Sequence, residues 1–279
     1  MSTAAPFATG AETVVAQSYR TASVPPWVGR CLESVRAWAR HHGHDYRFED
    51  DAFLARVPPW YARSVQDHRL PRANLARLLW TRELLETYAR VVWLDADVLV
   101  FDPARLAIVA GADGFAMCRE VWLDVRYGFA VARCAVNNAA FVFERGNPFL
   151  DGCIWAHERI ARTDTHLYEF ATSTRLLTAL HAAAPLPLLD AIGVLSPPVT
   201  VDLVRGRSRF VRRYMRAHGH PLQAANVGAS LVGRRISGIV LKERDQEAVV
   251  ERLLATRGDV LNVHLPRDVP VHGRARGPT

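Results

Sequence analysis

Lysine is nearly absent from this chain: of 35 basic residues only Lys242 is a lysine, and arginine supplies the others. Long apolar runs are missing too, and none approaches the roughly 20 residues that a membrane-spanning helix needs. Cysteine is scarce and scattered. Cys31, Cys118, Cys134 and Cys153 form no Cys-x-x-Cys pair. That excludes a zinc knuckle or a disulfide framework as the organising device and fits a reducing cytoplasm. The first residues, MSTAAPFATGAETVV, lack a basic stretch followed by an apolar core, so no secretory signal is expected. Internal repeats and linker-like stretches are absent as well. What is present is an ordinary globular balance, 49% apolar against 23% charged residues, enough for a sizeable core. The net charge of +7 rests on arginine. It favours anionic partners such as diphosphates or anionic lipid. No nucleic-acid motif accompanies it, so phosphate-bearing small molecules rank first and nucleic acid is not expected as a partner.

One stretch organises the rest. Residues 91–103 read VVWLDADVLVFDP. An apolar run rich in Val and Trp suits a strand buried on both faces. Asp95 and Asp97 stand at its carboxyl end, where open α/β sheets bind their ligands. Two acids one residue apart repel each other, so a positive group should neutralise them. A divalent metal carrying a phosphorylated ligand does so economically. A bare Asp-x-Asp also fits a strand-end turn whose acids face water.

Around this stretch, strand and helix signals alternate. Thr13–Ser18 reads as a strand, and Pro25-Pro26 opens a helix over Trp27–His42 that Gly43 ends. His44–Phe48 is a second strand. Residues 52–71 read as a loop, broken by Pro58-Pro59 and Pro71. A helix is expected over Arg72–Tyr88, a strand over Gly114–Cys118, and another over Ala139–Phe143 introduced by Asn137-Asn138. Helices follow at Phe149–Arg162 and Glu169–Ala183. Residues 184–200 look irregular. Asp245–Thr256 reads as a helix and Asp259–Val263 as a closing strand. The pattern predicts an α/β fold with a mostly parallel central sheet and helices on both faces. Residues 1–12 are expected to be disordered, 13–268 to form a single domain, and 269–279 to be a flexible tail.

In this order the segments resemble the GT-A glycosyltransferases, in particular the group with a DXD sugar-binding region found in fungal mannosyltransferases and bacterial capsular-polysaccharide-type enzymes. QSYRTASVPPWVGRCLESVRAWARHHGHDYRFEDD is similar to that group's opening, RANLARLLWTRELLETYARVVWLDADVLVF to its helix-to-DXD segment, and AVNNAAFVFERGNPFL to its downstream strand. The likeness spans roughly residues 13–180. It implies a GT-A fold and transfer of a sugar from a UDP- or GDP-sugar to an acceptor hydroxyl. Mn²⁺ (or Mg²⁺) is implied as cofactor, and retention of anomeric configuration is expected because the group is mostly retaining.

The resemblance also assigns roles. Asp97 would bind metal, and Asp95 the ribose or the same metal. Gln17, Asn74, Arg77, Asn137 and Asn138 would contact the nucleotide sugar. Asn74 stands where family members often carry Asp, which puts one sugar contact in doubt. Arg77, three residues on, can aim a guanidinium at the diphosphate or the first acid. A late histidine often completes the metal site; His264, after DVLNV, is the candidate, with His218 and His220 as competitors. For an inverting enzyme a carboxylate base is needed, and Asp124, Asp151, Asp164 and Glu169 are available. Six arginines crowd residues 205–216. They read as a solvated helix or loop, or as a cover over the diphosphate hinged at Gly206 and Gly219, an anionic-acceptor site or a membrane-facing patch. The last would place the protein in the cytoplasm at the inner face of a membrane. Two rivals remain. A haloacid-dehalogenase-like phosphatase would also use Asp95 and Asp97, but wants its motif near the N-terminus and a later lysine. An inactive nucleotide-sugar-binding scaffold is the other.

Overall fold

The computed structural model describes residues 11–66, 68–126, 129–163 and 172–266. The expected tails, apart from Ala11 and Glu12, and the candidates Asp164 and Glu169 lie outside these residues. The elements run β1 (Thr13–Ser18), α1 (Pro26–His41), β2 (Asp45–Glu49), α2 (Pro59–Ser64), α3 (Arg69–Leu84), β3 (Arg90–Leu94), β4 (Val98–Val100), β5 (Phe115–Arg126) and β6 (Phe129–Glu144). They continue as α4 (Pro148–Thr163), α5 (Thr174–Ala183), β7 (Leu188–Leu189), β8 (Ile192–Val194), α6 (Pro197–Arg205), α7 (Arg209–His218) and β9 (Ala224–Asn226). β10 (Arg235–Ile236), β11 (Ile239–Val240), α8 (Glu243–Thr256) and α9 (Asp259–Asn262) complete the described chain.

The central sheet has the order β2-β1-β3-β6-β5-β7. β1 pairs in parallel with both β2 and β3, β6 is antiparallel to β3 and β5, and β7 is parallel to β5. Only β6 therefore runs against the other five, and the expected mostly parallel α/β sheet is what forms. β3 is apolar after Arg90 because both its faces are covered. Val91 and Trp93 pack with Leu75 of α3 and Leu150 of α4. Val92 and Leu94 pack with Val35 and Trp38 of α1 on the other side. α1 presents Trp27, Val28, Cys31, Val35, Trp38 and Ala39 to the interior, the stripe of a helix lying on a sheet.

β3 ends just before the two acids: the chain turns at 95–97, and β4 joins a second sheet of order β4-β9-β8. Four local expectations are corrected. Residues 52–71 are not a loop. A 3₁₀ turn, α2 and the start of α3 lie there, because Pro59 sits at the first position of α2 and Pro71 in the first turn of α3, where no intrahelical N–H is lost. Residues 184–200 hold β7, β8 and the start of α6, again with proline in the first turn. β5 and β6 span 12 and 16 residues instead of two short strands. Finally, DVLNV is not a strand. Asp259–Asn262 is the short helix α9, entered through Gly258 at φ 79°, where a Cβ would collide with the Phe101 ring. The Asn262 amide pairs with the backbone N–H and C=O of Leu222, a docking that five residues of local pattern do not reveal.

Two histidines sit deep in the fold. His157 of α4 is 3% exposed and His218 of α7 is 2% exposed. Burial pushes both imidazoles down to about 4. The unfolded chain protonates them near 6.5, so it binds protons first as pH falls. The stability they contribute is complete above about pH 6.5 and erodes between there and about pH 4, by up to roughly 3 kcal/mol each. Urea unfolding at about pH 7.5 and about pH 5 should show this loss in the wild type and a smaller one in His218→Gln; identical pH dependence in the two proteins would contradict it.

Candidate active site

β3 ends at Leu94, and the next four residues form a tight turn closed by Val98 N–H donating to the Asp95 carbonyl at 3.0 Å. The Asp95 N–H donates to Ala139 O at 2.7 Å. That contact depends on an irregularity in β6. Met117 of β5 opposes Phe141, yet Cys118 opposes Asn137. Residues 138–140 are therefore extra on β6, a wide bulge of the kind that re-aims backbone beside functional sites. It turns the Asn138 and Ala139 carbonyls toward the end of β3.

Two different clamps hold the two acids. The Asp95 carboxylate accepts from Trp93 Nε1 at 2.7 Å and lies 3.0 Å from Arg77 Nη1. Arg77 is 7% exposed, also donates to Asn138 O at 2.8 Å, and lies over the Trp93 ring. Asp97 accepts from Asn226 Nδ2 at 2.7 Å and from Ala229 N–H at 2.6 Å, and its carbonyl accepts from Val227 N–H. Burial raises the pKa of both acids. For Asp95 the Arg77 charge and the Trp93 bond oppose the rise. Among the described residues Asp97 has neutral donors only, and burial followed by the Asp95 charge pushes it up to about 6. The pair is thus short of positive charge at Asp97.

A shell of amides surrounds the clamp. Asn138 Nδ2 donates to Asn74 Oδ1 at 3.0 Å, and Asn74 Nδ2 to Thr172 Oγ1 at 3.4 Å. Asn137 lies inside β6 rather than in a turn before a strand. It donates to Glu120 and to Thr174 Oγ1, and its Oδ1 accepts from Ala139 N–H, tying down the bulge. Gln17 is fully buried; its amide donates to Asp95 O and accepts from Tyr46. Gln17, Asn74, Arg77, Asp95, Asn137 and Asn138 are therefore linked into one hydrogen-bonded group, with Asn74 and Arg77 on the inner face of α3.

Other expected members are not brought there. His264 follows helix α9 rather than a strand, and burial and the Arg212 charge lower its pKa. Among the described residues no three His, Cys, Asp or Glu side chains gather as a metal cluster, so His264 does not complete one with Asp95 and Asp97. His220 instead pairs with Asp190, which also binds Arg119, and His218 is buried against Tyr214. Asp151 is exposed on α4 opposite Arg82. Asp124 binds Ser237 and faces Arg133. Gly206 and Gly219 are left-handed caps ending α6 and α7.

The sequence reading missed three members. Asn226 and Ala229 come from 129 and 132 positions away and have no local signal. Glu120 does have one: an acid inside the apolar run FAMCREVWL. It is 8% exposed and held by Asn137, and burial raises its pKa.

The donor set can be tested for a divalent cation. Each carboxylate oxygen offers about two lone pairs, and the protein hydrogen bonds leave part of that capacity unused. Mg²⁺-type ions bind through one or two carboxylates plus substrate phosphates, without an all-protein cage. Asp95 and Asp97 fit an ion that arrives with a diphosphate; they do not form a closed resident site.

Neither a family model nor a curated relative matches this chain. Solved structures do, at low identity. A glycosyltransferase involved in glycosylation of the major capsid of PBCV-1 shares 11% identity over 85% of this chain and 98% of its own, with a TM-score of 0.47. Mouse xyloside xylosyltransferase 1, in apo form, shares 10% over 79% and 98%, with 0.43. A Drosophila β-1,4-galactosyltransferase 7 mutant, in complex with manganese, UDP-Gal and xylobiose, shares 9% over 61% and 73%, with 0.28.

Proposed function

We propose that the protein is a GT-A-type glycosyltransferase that moves a sugar from a UDP- or GDP-sugar to an acceptor hydroxyl, with retention of configuration. The observation that carries this is the asymmetry of the acid pair: Asp95 is matched by Arg77, while Asp97, in the same turn, has no cation against it among the described residues. That is the electrostatic need a metal–diphosphate donor meets. Mn²⁺ or Mg²⁺, when bound, would be held by Asp97 and Asp95 and would stabilise negative charge on the departing diphosphate. Arg77 fixes Asp95 so that both acids keep their geometry before the donor arrives, and its charge adds to the field at the leaving group. Asn74, Asn137 and Asn138 hold the bulge that forms one wall. The acceptor oxygen forms the new bond to the anomeric carbon, the sugar–phosphate C–O bond breaks with its electron pair going to the diphosphate, and the acceptor proton is released. No observation favours the phosphatase reading: Lys242 is exposed at the start of α8.

Incubation of the purified chain with a panel of UDP- and GDP-sugars tests this. Release of nucleoside diphosphate is expected with Mn²⁺ or Mg²⁺ and not in EDTA. Silence with every donor, or phosphate release from a simple phosphomonoester instead, would overturn it.

A further inference from the structure

Positive charge is concentrated in one segment. Residues 203–242 contain nine basic residues and no acidic one, so they account for more than the whole net charge of +7. Six of the nine fall between Arg205 and Arg216, and all six are exposed. α7 sorts them sharply. Val211, Tyr214, Met215 and His218 face the interior, while Arg212, Arg213 and Arg216 face outward. Arg205 and Arg207 continue the patch from the end of α6. α9 packs beside α7, and there Val263 is 70% exposed while the Arg212 charge acts on His264. The surface is therefore a convex helix rich in arginine, with a bare apolar side chain at its border.

From this arrangement we infer that the α7 face is a docking surface for an anionic lipid bilayer. Exposed arginines on one side of an amphipathic helix suit a negatively charged headgroup layer, and each cation near such a surface strengthens binding several-fold. A free anion would call for a concave pocket. A nucleic acid would satisfy the arginines but not the exposed Val263. The docking does not rest on the transferase reading.

Co-sedimentation of the full chain with vesicles tests the docking without any donor. Binding is expected to phosphatidylcholine vesicles that contain phosphatidylglycerol and not to phosphatidylcholine alone, and about 1 M salt should abolish it. The variant R212E/R213E/R216E should bind at least about tenfold more weakly with an unchanged Tm, and Val263→Ser should weaken binding to a smaller degree. Equal binding to both vesicle types, no binding to either, or full binding by the triple variant would each overturn the inference. So would displacement from the vesicles by an equal charge of single-stranded RNA. Donor turnover in solution by the triple variant should match the wild type. Loss of vesicle binding with turnover kept separates this inference from the transferase reading, which fails only if the wild type turns over no donor.

Discussion

Asp97→Asn is expected to abolish metal-dependent donor turnover while leaving the unliganded protein at least as stable as the wild type. Both effects come from one source. The folded state pushes the Asp97 carboxyl up to about 6, first by burial and then through the Asp95 charge. A carboxyl whose folded pKa lies above its unfolded value near 3.9 favours the folded state when protonated. As pH rises from about 4 through about 6, the unfolded chain gives up its proton more readily and stability falls. Above that window the loss is constant, on the order of 1–3 kcal/mol. An amide keeps the shape and removes the charge. One of its faces must then meet a donor, Asn226 Nδ2 or Ala229 N–H, with an NH₂ group, which takes back part of the gain. Denaturation without metal should place the variant level with or above the wild type at about pH 7, with the difference shrinking toward about pH 4. Mn²⁺ with a nucleoside diphosphate should raise the wild-type Tm and leave the variant unmoved. Turnover should fall by about 10²-fold or more, the scale of losing one charge-stabilising contact at a leaving group. A variant that retains turnover, or that unfolds far below the wild type, would show Asp97 to be structural.

The parts of this arrangement that were legible in the sequence share a property: they are local. β1 follows from TVVAQS, α1 from the Trp27–Ala39 stripe, and the acid pair from its position after an apolar strand. The Asn74–Arg77 spacing places both on one helix face, where both are buried. What was not legible depends on partners far along the chain. The bulge at 138–140 exists because β6 serves two neighbours at once, β5 on one edge and β3 on the other. Asn137 and Asn138 look like turn residues to any local rule, and only that double pairing makes them strand. DVLNV is apolar at three of five positions, as a short strand could be, yet the Asn262 amide finds Leu222 and the segment closes as a helix. Placing His264 failed with it. The run after Asp97 was apolar for a different reason than the run before it: β4 is buried by β9, in a second sheet that nothing within 91–103 indicates.

Arg77→Ala is expected to be the most destabilising single change at the site. The wild-type guanidinium is 7% exposed and bonded to Asp95, to Asn138 O and to the Trp93 face. Truncation leaves Asp95 as a partly buried charge, its side chain 25% exposed, with only the Trp93 N–H facing it, and leaves the bulge carbonyl unmatched. Breaking one partner out of a buried pair costs about 3–5 kcal/mol; with Asp95 partly exposed the lower end applies, roughly 6–12 °C in Tm for a chain of this size. Arg77→Lys restores the charge but not the flat guanidinium that lies over the Trp93 ring, so it should recover stability only in part. The double variant Asp95→Asn with Arg77→Ala separates orphaned charge from lost packing. With no carboxylate left to neutralise, it should regain about 1–3 kcal/mol over Arg77→Ala alone, a coupling typical of residues in direct contact. Donor turnover should be lost in all three, because restoring the fold does not restore the geometry of the acid pair. If the double variant is no more stable than Arg77→Ala, the cost lies in packing against Trp93 rather than in the charge of Asp95.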